Sequence, residues 1–340
     1  YLVISARGTV GELAVLGRDM AFNQSCYGLN AKELTINDFL YYLLKFKIID
    51  LRQNTHGAVF DTITRDTFDH IEVNLPHLPI QKRIASILSA LDDKIELNRQ
   101  TNQALEAIAQ AIYKEWFVNF NFPGATGEMQ DSELGPIPKG WRIGKLGELV
   151  DFIKGVSYRS NELMPSKHAL VTLKSIARGG GFNSDGFKEF SGKYKDAQVL
   201  FEGDTVIAQT DITQNAEVVG CPAIVENPFD YEKLIASIDI VKCAPKSPTL
   251  NPGIIYYFLK DQRFKDYCLS HTNGSTVLHL RSSELPNYEM VIPNADILKL
   301  FCRLAQNTID AILANNRQIQ SLIKTRDVLL PKLMSGEIEL

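Results

Sequence analysis

The sequence predicts an α+β fold built as a tandem repeat, each copy a strand-rich region followed by one long helix. Three observations lead there. Near-identical pentapeptides, "YYLLK" at 41–45 and "YYFLK" at 256–260, stand 215 positions apart in a chain of 340 residues. Further matches keep the same order at nearly the same spacing, which is the mark of a duplication. Two apolar stripes with helical period, one per copy, each run for about ten turns.

The matches fix the register of the two copies. The glycines of "THGAV" (55–59) and "TNGST" (272–276) lie 217 apart, as do the prolines closing "IEVNLP" (71–76) and "YEMVIP" (288–293). The triplet "NRQ" at 98–100 returns at 316–318, and "VIS" at 3–5 faces "VIA" at 206–208, 203 positions on. The second copy has a long stretch ahead of Val206, opening near "IPKGWRIGKLGEL" (137–149), whereas two residues precede Val3. The first copy is therefore expected to lack most of its front half.

Residues 1–77 hold the rest of that first region, with "INDFLYYLLKFKI" (36–48) helical in spacing. The first long helix is expected over 78–118, where Ile80, Ile84, Leu88, Leu91, Ile95, Leu105, Ile108, Ile112 and Trp116 recur at intervals near three and four. Pro79 suits its first turn. Glycines and prolines then mark a linker at 119–137. The second region spans 138–294. In it "VLFEGDTVIAQT" (199–210), "PAIVE" (222–226), "LIASIDIVKC" (234–243), "VLHL" and "YEMVIP" read as strands. "PGIIYYFLKDQRFKDYC" (252–268) reads as helix. The second stripe runs over 295–331 through Leu298, Phe301, Ala305, Ile309, Ile312, Ile319, Leu322, Ile323 and Leu329, and Pro331 is expected to end it before a tail at 332–340.

Stripes so long and narrow predict a coiled coil of two antiparallel helices, rather than two surface helices each lying on its own domain. Both are broken near their middles, by Asn98 and Asn102 in one and Asn315 and Asn316 in the other. Asparagines in such a seam set register at some cost in stability. Asn98 and Asn315 are expected to be neighbours.

Composition narrows the function. Five scattered cysteines without a C-x-x-C pair read as buried thiols of a reducing cytoplasm. No apolar run is long enough to span a bilayer. A net charge of −4 argues against a non-specific nucleic-acid binder but leaves a sequence-specific reader open. No phosphate loop, H-E-x-x-H or G-x-S-x-G motif is present. "RGGGF" (178–182) reads as a flexible loop and Asp92-Asp93 as a solvated face. His271 and His279 have no ligand partners that would imply a metal. The chain reads as a binder with no catalytic residues.

At this point it resembles the specificity (S) subunits of type I restriction–modification systems, over essentially its whole length. The carriers are "IPKGWRIGKLGEL", "LPIQKRIASILSALDDKIELNRQ" (78–100), "AIYKEWFVNF" (111–120) and "LLPKLMSGEIEL" (329–340). The resemblance implies two target-recognition domains with pseudo-two-fold symmetry, each reading half of a split double-stranded DNA sequence, held apart by the helix pair. It implies two methyltransferase (M) subunits and restriction (R) subunits as partners. Adenine methylation with S-adenosylmethionine, and ATP- and Mg-dependent cleavage, would belong to those partners. The chain itself would carry no cofactor.

Base reading favours polar side chains on loops. In the second region the candidates are Lys174, Arg178, Gln209, Thr210, Thr213, Gln214, His271, Asn273, Ser275, Thr276 and Arg281. In the first, Arg7, Thr9, Gln53, Asn54, Thr55, His56 and Arg65 occupy matching places. Each could instead be an ordinary surface or turn residue, Asn273-Gly274 above all. A competing class is a coiled-coil scaffold whose end domains bind proteins; a fused enzyme lacks the motifs.

Overall fold

The structure is a computed structural model that describes residues 1–54, 62–69, 71–213 and 215–340, with the backbone alone for 49–54. The chain divides into two compact units, 1–99 with 318–340, and 100–317. Two helices contribute one half to each unit: α3 (Leu78–Phe117) and α6 (Ala295–Ser335). At 1.5 Å per residue each is about 60 Å long.

In the first unit, β1 (Leu2–Ser5) lies between β2 (Leu13–Val15) and β3 (Cys26–Leu29), antiparallel to both. Its alternation buries Leu2 and Ile4. The "YYLLK" motif lies on α1 (Asn37–Asn54), which has two apolar faces. Leu44 and Ile48 pack toward the sheet residues Leu2, Ile4 and Ala6. Phe39, Tyr42 and Leu43 pack on Ile84, Ala85 and Leu88 of α3 and on Leu330 and Leu333 of α6. A short helix, α2 (Arg65–Asp69), follows. Gln81 is fully buried and fully bonded: it donates to Leu34 and Pro76 carbonyls and accepts from Thr35. Residues 71–76 form no strand. Their counterpart Glu289–Ile292 is a strand because Arg142–Lys145 pairs with it, and among the described residues no strand lies beside 71–76.

The second unit opens with a hairpin of β4 (Met129–Gln130) and β5 (Ile137–Pro138), then β6 (Arg142–Lys145), β7 (Val150–Lys154), β8 (His168–Val171) and β9 (Phe187–Glu189). Next come β10 (Val199–Leu200), β11 (Thr205–Ala208), β12 (Thr210–Asp211), β13 (Pro222–Ile224), β14 (Lys233–Ala236) and β15 (Ile240–Pro245). After α4 (Pro252–Leu259) and α5 (Gln262–Ser270) follow β16 (Thr272–Asn273), β17 (Leu278–Leu280) and β18 (Glu289–Ile292). The strands pair as β13-β11-β15-β7, β10-β14-β8-β9, β12-β17-β16 and β18-β6, all antiparallel except β14 with β8. One core joins α4 and α5 to the helix halves through Tyr257, Phe264, Ala305, Ile309 and Phe117. Another lies among the strands, around Val171, Val206, Ala223 and Ile240.

Three expectations are corrected. The helical reading of 252–268 breaks at Asp261, whose carboxylate caps α5 by accepting the Arg263 N–H at 2.9 Å. Pro331 lies inside α6 instead of ending it; burial of Leu330 and Leu333 carries the helix on to Ser335. Gly336, at φ +78°, then stops it. Asp92 is no solvated residue, since it accepts from Tyr42 Oη at 2.8 Å and from Arg326 at 2.6 Å.

Candidate nucleic-acid interface

In the second unit two distant segments become neighbours through one small sheet. Pairing of β12 with β17 sets Thr210 opposite His279 and Asp211 opposite Leu278, and β16 adds Asn273 opposite His279. The Leu280 N–H donates to the Gln209 carbonyl at 2.8 Å. Residues 209–211 and 272–280 therefore lie side by side, with Asn273 and His279 on the exposed side. Beside them a groove of about 480 Å³ is lined by Lys174, Arg178 and Thr213 together with Ile212, Asn215 and Glu217.

Asp211 holds this surface in shape. It is completely buried, and its carboxylate accepts from the Thr213 N–H and hydroxyl and from the N–H groups of Val218 and Val219, at 2.6–2.7 Å. Burial alone would raise its pKa, but these hydrogen bonds outweigh it and hold the group below the usual carboxylate range. Thr213 and the backbone at Val218 and Val219 are thus held by one carboxylate. On the other wall, Gly179, Gly180 and Gly181 all have φ between +77° and +100°, a run that side chains resist. Their turn is hydrogen-bonded on both sides: Gly179 N–H donates to the Glu217 carbonyl and Gly181 N–H to the Pro222 carbonyl. It presents Arg178, whose guanidinium is mostly exposed and 3.4 Å from Glu217. So exposed an ion pair is weak and readily traded for a phosphate.

The other sequence candidates separate by exposure. Lys174, Asn273, Ser275, Thr276 and Arg281 are exposed. Thr210 is buried with its hydroxyl on Asp239, and Thr213 is engaged with Asp211, so both support the loop rather than project from it. Gln209 is half-buried. His271 stacks on Tyr267 at 4.2 Å, with Nδ1 2.9 Å from the Tyr267 carbonyl. Gly274, at φ +103°, would drive a Cβ into the Val277 carbonyl, so Asn273-Gly274 is a required turn. Gln214 lies outside the described residues.

In the first unit Arg7 and Thr9 are exposed after β1, as Gln209 and Thr210 follow β11, and Arg65 is exposed at the start of α2. Thr55 and His56, and the side chains of Gln53 and Asn54, lie outside the described residues. Sequence reading passed over Ile212, Asn215 and Glu217 in the groove. The "DIT" triplet at 211–213 was its available signal, since Asp two residues before a bonded N–H is an Asx turn.

The seam asparagines are all paired. In the first unit buried Asn98 donates to Gln318 Oε1 at 2.7 Å. With Asp92 on Arg326, this makes the two helix halves antiparallel. In the second unit Asn102 donates to Asn316 at 2.7 Å and accepts from Asn315 at 2.8 Å, while Phe117 meets Phe301, again antiparallel. Asn316 also donates to Glu226 at 2.9 Å. Among the described residues no group of His, Cys, Asp and Glu gathers in metal-binding geometry, and no helix is long and apolar enough to cross a membrane.

Comparison with known proteins accounts for this arrangement. The family model described as the type I restriction modification DNA specificity domain matches residues 1–107 and 138–326. The MjaIX type I restriction enzyme specificity subunit of Methanocaldococcus jannaschii is 28% identical over 99% of this chain and 77% of its own length. The HindI specificity subunit of Haemophilus influenzae is 26% identical over 90% of this chain and 78% of its own. The crystal structure of the type I restriction–modification S subunit from M. genitalium shares the fold at TM-score 0.55 and 17% identity, covering 98% of this chain and 82% of that one. With both its repeats matched, the chain belongs to the type I restriction–modification specificity subunits.

Proposed function

We propose that this subunit reads a split double-stranded DNA sequence, one half with each strand-rich unit, while α3 and α6 act as the ruler between half-sites. Two methyltransferase subunits dock on it and supply adenine methylation with S-adenosylmethionine. Restriction subunits add ATP- and Mg-dependent cleavage, and this chain contributes no catalytic residue. The reading is supported by one groove in the second unit, lined by the exposed cations Lys174 and Arg178 and by Ile212 and Thr213 beside buried Asp211, next to the β12–β17 pairing that sets Asp211 opposite Leu278. Duplication supports the split target, because a duplex presents two half-sites related by a dyad to two similar readers. An acidic chain with net charge −4 leaves much of the phosphate contact to its partners. The test is to express the chain with its methyltransferase subunits and map methylated adenines across a genome. A single interrupted motif is expected; methylation without sequence preference overturns the reading.

A further inference from the structure

Ile212 has an unusual setting for a branched apolar side chain. It is 67% exposed, yet its neighbours on both sides are fixed. Asp211 is buried with all of its hydrogen bonds made, and Thr213 bonds Asp211 and the Glu217 N–H. Ordinary exposed apolar residues need no explanation. This one stands at the lip of a groove lined by the cations Lys174 and Arg178, by Asn215 and Glu217, and by the apolar Leu173, Ile176 and Val218, which are buried or half-buried where Ile212 is exposed. Fixing the backbone that carries a side chain before binding lowers the entropic cost of ordering it on binding. Cations that can take phosphates, next to an exposed apolar group on a hydrogen-bonded backbone, match the edge of a duplex whose bases carry a single apolar substituent, the thymine C5-methyl group.

Resting on the DNA-reading function above, we propose that Ile212 is a specificity-determining residue that reads a thymine methyl group in the half-site bound by the second unit. Lys174 and Arg178 hold the neighbouring phosphates, and the bonded neighbours Asp211 and Thr213 set the distance. The residue acts by contact alone, so its contribution is that of burying one methyl against a branched side chain.

The experiment uses the complex of this chain with its methyltransferase subunits and duplexes bearing the mapped motif. Each thymine in turn is replaced by deoxyuridine, which keeps the pairing edge and removes only the methyl. For the unaltered complex, one position should lose about three- to tenfold in affinity. Ile212→Ala should lose the same factor on the thymine duplex and nothing further on the deoxyuridine duplex, with Ile212→Val between. Thermal melting of the variants should be unchanged, since the side chain is exposed. The proposal is overturned if deoxyuridine is tolerated everywhere, or if its effect adds to that of Ile212→Ala. Those results leave a sequence-selective complex intact, whereas a complex with no preferred motif removes the underlying reading as well.

Discussion

Two carboxylates in the second unit, Asp211 buried and Glu226 partly so, show how the same group can stabilise in opposite pH directions. Asp211 gains four hydrogen bonds and its pKa falls. A depressed pKa means stability present above the unfolded value and lost as pH drops through the folded one. Asp211→Ala should strip partners from two buried N–H groups and lower stability by about 2–4 kcal/mol, read by urea denaturation near neutral pH. Glu226 is the reverse case. Burial pushes its pKa up to about 7, with Glu202 adding to the rise and the Asn316 hydrogen bond opposing it. Its stabilising contribution is complete below the unfolded carboxylate pKa and disappears as pH rises through about 7. Glu226→Gln should therefore be more stable than the parent at pH 8, by on the order of 1–3 kcal/mol in urea denaturation, and equally stable at pH 4. The "DIT" triplet could announce a turn, but neither the burial nor the opposite shifts could be read from the residues alone, because these depend on which distant groups surround each carboxylate.

At the scale of elements, the repeated pentapeptide is legible as helix but not as function. Its tyrosines and leucines are packing residues: Tyr42, Tyr256 and Tyr257 are all buried. Each copy also grips a carboxylate on α3. Tyr256 and Tyr257 hydroxyls and Lys260 bond Glu106, at 3.2, 3.1 and 2.5 Å, and Tyr42 bonds Asp92 beside Arg326. The motif locks each strand-rich region onto the long helix inside its own unit. Glu106→Ala would leave Lys260 and two buried hydroxyls without their acceptor. A loss of about 3–5 kcal/mol is expected by chemical denaturation, with Glu106→Gln recovering part of it. Periodicity found both long helices, yet it misplaced the end of α6 at Pro331. A proline removes one backbone hydrogen bond, and the apolar contacts of Leu330 and Leu333 exceed that loss.

At the scale of the molecule, the duplicated plan makes a quantitative test of the ruler. If α3 and α6 set the gap between half-sites, adding seven residues to the middle of each lengthens it by about 10 Å. At 3.4 Å per base pair, the gap in the methylated motif should widen by about three base pairs with both half-sites unchanged. Methylation mapping of the lengthened complex checks it; an unchanged gap would count against the ruler.

By itself the sequence determined the repeat, the two long helices, the strands of the later part of the second region and the family, because offset matches and apolar periodicity are local or additive signals along the chain. Lys174, Arg178, Asn273, Ser275, Thr276 and Arg281 were legible as candidates for the same reason: polar residues clustered at turns announce loops. Only the tertiary structure decided which of them share a surface. It paired Thr210 with His279 across 69 positions, withdrew Thr210 and Thr213 into support of the loop, and exposed Ile212. Such outcomes depend on which backbone groups find partners at long range, and hydrogen bonds and burial between distant segments leave no period in the sequence.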